Sequence, residues 1–492
     1  MSPIVPDPAL VPPEVLHALR TLRAAGKQGF LAGGAVRDAL RVARWNAGLD
    51  RPRSPIAQAW TQSPGAPQDF DIATDALPDE VMRLFPKVIP TGVQHGTVTV
   101  LLGEHKLELT TFRGEGPYLD GRRPSSVTFL GDIVGDLARR DFTVNAIAWD
   151  PLTAGEAGLR DPFDGVGDLS RRVLRAVGNP EHRFSEDGLR PLRAVRFATT
   201  LRLALDPATR RAITATLDTF SKVAAERVHD ELVKLLVRGA PPSRGLRLLV
   251  RTGLLARIAP ELVESVAFPQ NRWHQWDVWR HTLRVVDAAA AETRDLIVLL
   301  SALLHDVAKP RTAQPKPESP SENSFHQHEH VGATLTSEIL TRLRFSKREV
   351  ERVTLHVREH NWHYLPEWTD ATCRRVIARL GPEELGTQWS LRRADLRGRG
   401  RAVEEGLANQ AALESRFARV LKDSSALRVT DLAIGGRELM QDLGLRPGPA
   451  VGQLLKRLLE AVLDDPSLNT PASLIRLASE AASRPSTDNS QP

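Results

Sequence analysis

Residues 29–40 read GFLAGGAVRDAL, and this stretch decides how the first part of the chain folds. Its first four residues predict a strand, and the apolar spacing that follows Gly33 and Gly34 predicts a helix. Glycines between a strand and a helix let backbone N–H groups approach a phosphate, and the start of a helix favours an anion. The stretch therefore indicates a phosphate-binding turn with Arg37 and Asp38 one helical turn later. A purely structural turn with a solvated ion pair is the alternative.

A second stretch, DFDIAT at residues 69–74, predicts a short strand. Because side chains alternate along a strand, Asp69 and Asp71 should lie side by side on one face. Two carboxylates so close repel each other unless a cation lies between them. Two Mg²⁺ ions about 4 Å apart would activate a hydroxyl group and hold a triphosphate there. The alternative is a pair of solvated aspartates on an edge strand.

Composition sets the broad class. The chain has 492 residues, 66 Lys and Arg against 60 Asp and Glu, a net charge of +6 and 41% hydrophobic residues, which excludes disorder as the dominant state. The single Cys excludes an intrachain disulfide framework. Apolar runs stay well below the ~20 residues that a membrane helix needs, and the N-terminus shows no secretory signal. We expect a cytoplasmic protein that does not bind membranes, and the basic balance is compatible with an RNA partner.

The coarse secondary structure changes along the chain. Strand and helix signals alternate to about residue 150, and helical periodicity dominates from about residue 165. Residues 46–68 and 310–324 are rich in Pro, Ser or Gly and predict loops, the second of them disordered. The last dozen residues also have the composition of a disordered segment. Specific expectations are a helix over Pro13–Ala25 and strands over Thr97–Leu102 and Lys106–Phe112.

Six motifs in order resemble one family. GGAVRD, DFDIAT, LELTTFR, RRDFTVNA, DPFDG and EDGLRPLRAVRF follow one another as in class II tRNA nucleotidyltransferases, the CCA-adding enzymes and their poly(A) polymerase relatives. The resemblance implies an α+β fold, with a polymerase-β-like nucleotidyltransferase head followed by a long all-α neck and body. The domains it implies are a head at 1–165, a helical neck at 166–250 with base-selecting and RNA-binding helices, an HD phosphohydrolase domain at 251–400, a tRNA-binding helical tail at 401–480 and a disordered end at 481–492.

The resemblance also implies roles for single residues of the head. Asp141, in the RRDFTVNA motif, would accept a hydrogen bond from a ribose 2′-hydroxyl, with Arg140 and Asn145 beside it. In DPFDG the family usually has a second Gly where this chain has Asp164, and the motif is associated with hinging between domains. Residues 114–127 match a flexible loop that is linked to the switch from C to A addition. The insertion at 46–68 departs from the family's spacing and is expected to be a surface loop.

The EDGLR motif indicates base selection, with an ordinary ion pair on a helix face as the alternative. On one helix, Asp187 and Arg190 would be three residues apart and share a face. A carboxylate accepts from the exocyclic amine of C or A, and a guanidinium donates to the neighbouring ring nitrogen. G and U reverse this pattern and would leave buried groups unpaired at a cost of roughly 1–3 kcal/mol each. Arg193 and Arg196 continue the spacing and would contact the triphosphate or tRNA, or face solvent. By resemblance, Glu226 and Arg227 would stabilise the neck.

A second set of residues suits a metal in the helical body. His305 and Asp306 end an apolar helix, and imidazole and carboxylate together suit a divalent transition metal or Mg²⁺. The pattern resembles an HD-type phosphohydrolase, which hydrolyses a phosphomonoester or cyclic phosphodiester with a metal-activated water. The ligands that this implies are His281, His305, Asp306 and Asp395. His328 and His360 would bind a second metal or stabilise the transition state, and Lys309 would bind phosphate.

These observations predict an enzyme that adds C and A nucleotides to the tRNA 3′ end from CTP and ATP with Mg²⁺, by attack of the terminal hydroxyl on the α-phosphate. Residues 445–454 resemble the part of the family's tail that holds the tRNA elbow. The alternatives within the class are a CC- or A-adding enzyme and a poly(A) polymerase. Alternatives of another class are an HD phosphohydrolase with an RNA-binding head and a non-catalytic RNA-binding scaffold.

Overall fold

The computed structural model of the chain describes all residues except 1–3, 53–57, 62, 116–126, 273, 318, 363–366, 425 and 484–492. Most of the predicted switch loop at 114–127 and of the expected disordered end therefore lies outside the described residues. The chain divides into two compact units, residues 1–263 with 342–345 and residues 264–341 with 346–492. Among the described helices none is long and apolar enough to cross a membrane.

The first unit is built on a mixed seven-stranded sheet with two small additional sheets. Their strands are β1 Gly29–Ala32, β2 Asp71–Thr74, β3 Val88–Gly92, β4 Thr97–Leu102, β5 His105–Thr111, β6 Arg113–Glu115, β7 Val127–Phe129, β8 Ala148–Trp149, β9 Leu159–Arg160, β10 Val173–Leu174 and β11 Ala204–Leu205. The order in the large sheet is β3-β4-β5-β2-β1-β8-β9. The central strands β1 and β2 are antiparallel, whereas β2 and β5 are parallel.

Helices alternate with the strands of this sheet and make up most of the first unit after it. They are α1 Pro13–Ala24, α2 Gly34–Asn46, α3 Pro78–Leu84, α4 Ile133–Ala138, α5 Gly165–Arg171, α6 Pro180–Glu186, α7 Arg190–Thr200, α8 Pro207–Ala215, α9 Leu217–Phe220, α10 Ala225–Arg238, α11 Pro242–Thr252, α12 Leu254–Ile258 and α13 Pro260–Val263. Short 3₁₀ helices lie at Pro8–Leu10, Val93–His95, Thr143–Asn145 and Gly155–Gly158. The expected strand–turn–helix at residues 29–46 and the two expected strands near residues 97–112 are confirmed.

The core of the head explains why β1 is central. Phe30 and Ala32 on one face of β1 pack with Phe112, Leu137 and Val177, all of them buried. Apolar side chains on a strand that is covered on that face are removed from water, which favours the strand by about 25 cal/mol per Å² of apolar surface. The stretch at 29–40 therefore places its glycine turn at the end of a strand anchored in the middle of the sheet.

The second unit is almost entirely helical. Its helices are α14 Val278–Glu292, α15 Leu296–Leu304, α16 Lys309–Thr312, α17 His328–Arg342, α18 Lys347–Arg358, α19 Asp370–Leu380, α20 Leu385–Arg399, α21 Val403–Asp423, α22 Gly436–Leu443, α23 Pro449–Asp464 and α24 Pro471–Ser483, with 3₁₀ helices at Pro382–Glu384, Val429–Asp431 and Pro466–Leu468. The helices α14, α15 and α20 pack on one another and carry His281, His305 and Asp395. The predicted fold class, an α/β head followed by a long helical body, is confirmed.

The prediction that residues 310–324 form a disordered loop is wrong. After α16, residues Gln314–Lys316 and Ser319–Ser324 form an antiparallel hairpin of two strands, β12 and β13. Lys316 Nζ and a Glu322 carboxylate oxygen make a partly buried ion pair across it at 2.9 Å. Composition alone suggested a loop because Pro and Ser are poor strand formers, but cross-strand pairing and this ion pair overcome their low propensity.

Candidate active sites

A cavity of about 900 Å³ opens in the first unit where the predicted motifs converge. It is bounded by the glycine turn before α2, the start of β2, the segment before the 3₁₀ helix at Thr143–Asn145, and the junction of α6 and α7. A cavity of this size accommodates a nucleotide. The predicted residues that line it are Gly33, Gly34, Arg37, Asp38, Asp69, Asp71, Arg140, Asp141, Asn145, Asp187, Arg190 and Arg193.

The glycine turn forms one end of this nucleotide cavity. Gly33 has a left-handed backbone with φ of +82°, and a Cβ at this position would lie 2.5 Å from Arg140 Nη1. The backbone conformation therefore favours glycine, and a Cβ here would displace the Arg140 guanidinium. The buried Arg37 donates to Asn145 Oδ1 at 2.6 Å and pairs with Asp38 at 2.7 Å. The alternative of a solvated surface pair does not describe Arg37, which is held inside the cavity wall.

Three carboxylates meet at the opposite rim. The strand β2 begins at Asp71, two residues later than expected, but Asp69 and Asp71 are both exposed while Phe70 and Ile72 are buried, as alternation requires. The parallel register places Asp71 directly beside Glu108 of β5. Partial removal of the carboxylate from water inside the cavity and the neighbouring Glu108 raise the pKa of Asp71, and Asp69 adds to this effect. Such mutual repulsion is the condition that a bound cation relieves.

Glu108 is a site residue that the sequence analysis missed. It lies in the LELTTFR motif, where buried Leu107 and Leu109 alternate with the exposed glutamate. That alternation was a usable signal for the direction of the side chain. The neighbour of Glu108 in space, however, is set by pairing of β2 with β5, which no local pattern shows.

Asp141 is buried and strongly bound by its surroundings. One carboxylate oxygen accepts two hydrogen bonds from Arg193 at 2.7 and 2.9 Å, and the other accepts from Asn145 Nδ2 at 3.1 Å. Burial alone would raise the pKa of Asp141, but Arg193 and Asn145 hold it below its ordinary value. The carboxylate is therefore ionised and acts only as an acceptor, which is the state that a ribose hydroxyl donor requires.

The expectation that Asp187 and Arg190 share one helix is wrong. The helix α6 ends at Glu186, and α7 begins at Arg190. The Asp187 side chain accepts from the N–H of Leu189 at 3.0 Å, a turn that ends a helix. Gly188 lies so close to the Thr219 carbonyl oxygen that an added Cβ would be 2.6 Å away. The two side chains still line the same cavity, Asp187 from just after the end of α6 and Arg190 from the start of α7.

Each member of this pair has a separate partner. Arg227 Nη1 and Nη2 donate to the two oxygens of Asp187 at 3.0 and 2.8 Å. Arg190 makes an ion pair with Glu186. These contacts hold both groups in place at the cavity wall. Arg227 thus orients Asp187, a role beyond the structural one expected for the neck, and Glu186 is a second residue that the sequence analysis did not assign.

Arg196 lies apart from the nucleotide cavity. Its guanidinium forms an ion pair with the buried Glu231 and lies 3.7 Å from the centre of the Phe197 ring. This pairing with Glu231 of α10 replaces the solvent-facing position that was one expectation for Arg196. Its contact with triphosphate or tRNA stays a prediction.

The DPFDG motif leads into α5, which packs on the 3₁₀ helix at Thr143–Asn145. Asp161 accepts from the N–H groups of Gly165 and Val166 at 2.7 and 2.9 Å and so caps α5. Asp164 has a left-handed backbone with φ of +60°. Aspartate tolerates this conformation better than most residues do, which explains how it can stand where the resembling family usually has glycine.

Six side chains converge in the second unit. His281, His305 and Asp306 form one compact group, and Asp306, His328 and His360 form another, each with ligand atoms within 4.8 Å of one another. Asp395 Oδ1 lies 3.1 Å from His281 Nε2 and 3.9 Å from His305 Nε2. The structure therefore brings together all six residues that the sequence analysis proposed, and Asp306 belongs to both groups.

The imidazole nitrogens of this cluster are arranged for a cation. Nδ1 of His305, His328 and His360 each faces a backbone carbonyl oxygen at 3.0, 2.7 and 2.6 Å, so that each Nδ1 carries the proton. In the neutral imidazoles each Nε2 then presents a lone pair. The Nε2 atoms of His328 and His360 lie only 3.2 Å apart. Two lone pairs at this distance repel, whereas a metal ion between them would be bound by both.

The carboxylates of the cluster are ionised. Burial would raise the pKa of Asp306, but His305 and Lys309 hold it well below its usual range. Arg399 and His281 likewise hold the pKa of Asp395 well below its ordinary value against the effect of burial. Imidazole nitrogens and ionised carboxylate oxygens are the donor set of a divalent transition metal, and the residues present fit such an ion.

Two further residues border the cluster. Lys309 Nζ lies 2.7 Å from an Asp306 oxygen and donates to Gln270 Oε1 at 2.8 Å, so it is a buried partner of the carboxylate. The His274 ring lies 4.9 Å from that of His281, and burial together with Lys309 and His281 lowers the pKa of His274 to about 2. The sequence analysis missed His274 and Gln270, which lie in an irregular segment before α14.

Comparison with known families agrees with this geometry. The model described as the poly A polymerase head domain matches residues 29–175, and the HD domain model matches residues 278–395. Models for an RNA-binding region of polymerase A and for tRNA nucleotidyltransferase domain 2 match residues 202–265 and 388–478.

Among curated proteins, the CCA-adding enzyme of Anoxybacillus flavithermus is 37% identical over 308 residues, which cover 59% of this chain and 71% of that enzyme. The chain belongs to the CCA-adding enzyme family. The CCA-adding enzyme of Lactobacillus delbrueckii subsp. bulgaricus is 44% identical over 241 residues, 49% of this chain and 54% of that enzyme. The chain thus spans about half the length of most of the family members that it matches best in sequence.

Solved structures extend the likeness over nearly the whole chain. A Bacillus stearothermophilus CCA-adding enzyme in complex with CTP matches with a TM-score of 0.65 and 27% identity over 96% of this chain and 98% of that one. A Thermotoga maritima CCA-adding enzyme complexed with tRNA matches with a TM-score of 0.54 at 17% identity, which shows the shared fold. The domain boundaries and the roles of single residues predicted above stay predictions.

Proposed function

We propose that this protein adds C and A nucleotides to the 3′ end of tRNA from CTP and ATP. The observation that carries the proposal is the nucleotide cavity, which has an acidic rim at one side and the Asp187 and Arg190 side chains at another. The 3′ hydroxyl attacks the α-phosphate, and pyrophosphate leaves. Membership of the CCA-adding family and the similarity to an enzyme solved with CTP support the same activity.

The residues of the cavity divide the work of binding. Asp187 accepts from the exocyclic amine of C or A, and Arg190 donates to the ring nitrogen beside it. Asp141 accepts from the ribose hydroxyl. Arg37 and Arg140, with the start of α2, supply positive potential for the triphosphate. Asp69, Asp71 and Glu108 would hold Mg²⁺, which when bound supplies charge stabilisation to the reacting oxygens.

The test of this proposal uses tRNA transcripts that end at the discriminator base, at the first C, and at CC. Each is incubated with Mg²⁺ and CTP, ATP or both, and the 3′ ends are sequenced. We expect C, C and A to be added in order and synthesis to stop there. Action on only some ends would indicate a CC- or A-adding enzyme, and long A tails would indicate a poly(A) polymerase.

The matched variants are Asp71→Asn and Glu104→Gln, which each convert one exposed acid to its amide. Glu104 lies in the turn between β4 and β5, outside the residues that line the nucleotide cavity. Asp71→Asn should lower incorporation by at least about a thousandfold, as loss of a metal-binding carboxylate does, and Glu104→Gln should leave it unchanged. Incorporation that survives Asp71→Asn would disprove the acidic rim as the catalytic site.

We infer a second activity, phosphohydrolysis, for the histidine cluster of the second unit. The facing Nε2 atoms and the buried ionised Asp306 favour it, because they would hold a divalent metal whose bound water becomes a nucleophile at neutral pH. His281, His305, Asp306 and Asp395 would hold one such metal, and the facing His328 and His360 a second one. A 3′-phosphate or 2′,3′-cyclic phosphate on tRNA is a substrate that the head could extend after hydrolysis.

The test offers tRNA that ends in a 2′,3′-cyclic phosphate to the protein loaded with Mg²⁺, Mn²⁺, Co²⁺ or Ni²⁺, and scores the release of the blocked end. The double variant His328→Ala with His360→Ala should lose hydrolysis and keep addition to tRNA with a free hydroxyl. Exposed His330, two residues from His328, supplies the control variant His330→Ala. Hydrolysis that is unchanged in the double variant would show that a different site is responsible.

A further inference from the structure

The guanidinium of Arg193 lies between two carboxylates from different parts of the first unit. On one side, its Nε and Nη2 atoms donate to Asp141 Oδ2 at 2.9 and 2.7 Å. On the other side, its Nη1 atom lies 3.8 Å from Glu231 Oε1. Asp141 precedes the 3₁₀ helix at Thr143–Asn145, whereas Glu231 lies on α10, outside the residues that line the nucleotide cavity. One arginine therefore connects the proposed ribose acceptor with a carboxylate behind the cavity wall.

Four hydrogen bonds already occupy the Asp141 carboxylate. Its Oδ1 atom accepts from the N–H of Phe142 at 2.9 Å and from Asn145 Nδ2 at 3.1 Å, and its Oδ2 atom accepts both hydrogen bonds from Arg193. A carboxylate offers about four lone-pair sites in all, so these donors fill it. A ribose hydroxyl that donates to Asp141 must therefore replace one of them.

Arg193 is the donor that can yield its place at the lowest cost. One of the other donors is a backbone N–H group. The Asn145 side chain is fixed on its far side, because Arg37 donates to Asn145 Oδ1 at 2.6 Å. Arg193, by contrast, has Glu231 as a second carboxylate within 4 Å. A guanidinium that leaves Asp141 for Glu231 exchanges one charge-assisted hydrogen bond for another instead of losing it.

Glu231 is placed to receive this guanidinium. It is 2% exposed, and an ion pair with Arg196 holds its Oε2 atom. Its Oε1 atom faces Arg193 and lies 3.7 Å from Lys234 Nζ. Partial removal of the guanidinium from water would lower the pKa of Arg193, but Asp141 and Glu231 raise it above its ordinary value, so the arginine stays charged in either position. Because Arg193 and Arg196 share Glu231, the pairing of one affects the attraction of the other.

The Phe197 ring keeps these two arginines side by side. Arg193, Arg196 and Phe197 share one face of α7, since they are three and four residues apart. The centre of the ring lies 5.3 Å from the guanidinium carbon of Arg193 and 3.7 Å from that of Arg196. The face of an aromatic ring attracts both cations and offsets their mutual repulsion. The two guanidiniums therefore stay close enough to compete for Glu231.

We propose that Glu231 is a positioning residue for sugar selection. It draws Arg193 away from Asp141 and so frees the oxygen that accepts the ribose 2′-hydroxyl. This inference rests on the proposed function, in which Asp141 accepts from that hydroxyl. A deoxynucleotide lacks the donor and gains nothing from the freed oxygen. Glu231 thus strengthens the binding of CTP and ATP and leaves the binding of deoxynucleotides unchanged.

The test measures the binding of CTP and dCTP to the full chain with Mg²⁺ and without tRNA, so that no nucleotide is added. Equilibrium dialysis with each labelled nucleotide gives the sugar ratio, the Kd for dCTP divided by the Kd for CTP. Glu231→Gln removes the charge and keeps the shape of the side chain, so the ratio should fall about tenfold through weaker CTP binding alone. The control, Asp230→Asn, converts the exposed neighbouring acid on α10 to its amide and should leave the ratio unchanged.

Arg196→Gln gives the sharpest comparison, because it breaks the same ion pair from the other side. Without Arg196, Glu231 attracts Arg193 more strongly, so the sugar ratio should rise about threefold or more. A purely structural role of the ion pair predicts the same direction in both variants or no change in either. A contact between Arg196 and the triphosphate would weaken CTP and dCTP binding alike and cancel in the ratio.

Opposite shifts of the sugar ratio in Glu231→Gln and Arg196→Gln would establish the inference. Shifts in one direction, an unchanged ratio in Glu231→Gln, or a parent that binds CTP and dCTP equally would overturn it. If circular dichroism shows that Glu231→Gln does not fold, the sign of the shift in Arg196→Gln decides alone, and only a rise supports the inference. A parent that binds neither nucleotide would disprove the proposed function itself, and the inference with it.

Discussion

The glycine turn offers a sharp prediction because two neighbouring glycines meet different surroundings. Gly33 has φ of +82°, and a Cβ there would lie 2.5 Å from Arg140 Nη1. Gly34 has an ordinary φ, and its Cβ would meet Arg37 Nη2 at 3.6 Å, a normal contact. We therefore expect Gly33→Ala to harm the protein and Gly34→Ala to leave its stability intact.

The magnitude follows from two terms. An alanine at φ of +82° and ψ of −126°, a backbone region that side chains rarely adopt, costs on the order of 1–3 kcal/mol. The contact with Arg140 is relieved by moving its guanidinium, which is weakly held at 3.3 Å from Asp136 Oδ2 and 3.5 Å from the Asn145 carbonyl oxygen. The free energy of unfolding of Gly33→Ala should thus fall by about 1–3 kcal/mol, and that of Gly34→Ala should stay equal or rise by up to about 1 kcal/mol.

The displaced guanidinium also changes function. If Arg140 contacts the triphosphate, its movement should raise the KM for CTP and ATP about tenfold or more, because a charge-assisted hydrogen bond contributes about 1.5–3 kcal/mol. Urea unfolding of the three proteins measures stability, and incorporation at varied nucleotide concentration measures KM. Equal unfolding midpoints for Gly33→Ala and Gly34→Ala would refute the argument from backbone conformation. A lowered midpoint with an unchanged KM would refute the role given to Arg140.

Three further predictions concern other contacts. Arg227→Ala removes both hydrogen bonds that orient Asp187, so misincorporation from UTP and GTP, measured against CTP, should rise about tenfold; unchanged selectivity would mean that Asp187 needs no support. Glu292 is partly buried, but Arg393 and Arg397 lower its pKa to about 2, below the value near 4.3 in the unfolded chain. The stability that ionised Glu292 contributes to the fold is therefore complete above about pH 4.3 and is lost as the pH falls towards 2. Urea unfolding should accordingly find Glu292→Gln less stable than the parent at pH 7 and equal to it near pH 2. A chelator should lower the melting temperature of the metal-loaded protein, measured by calorimetry, and His360→Ala should make that shift smaller. A chelator without effect on the parent protein would argue against a bound metal.

Local sequence was sufficient for elements whose causes are local. The apolar run of β1 and the helical spacing after Gly34 predicted strand, turn and helix, because burial pattern and backbone freedom depend on neighbouring residues. Alternation around Asp71 predicted its exposed side. The same reasoning failed at Asp187, since the turn that separates it from Arg190 depends on close packing of Gly188 against Thr219.

The sequence by itself determined the fold class, the glycine turn, and which residue types carry the chemistry, because each of these is written in short motifs. Only the tertiary structure decided the partners: Glu108 beside Asp71 through strand pairing, and Arg227 on Asp187 across 40 positions of chain. Facing nitrogens of His328 and His360 likewise meet across 32 positions. Such contacts arise when packing closes long loops, and the free energy that selects them is shared among many buried side chains rather than encoded beside the residues that meet.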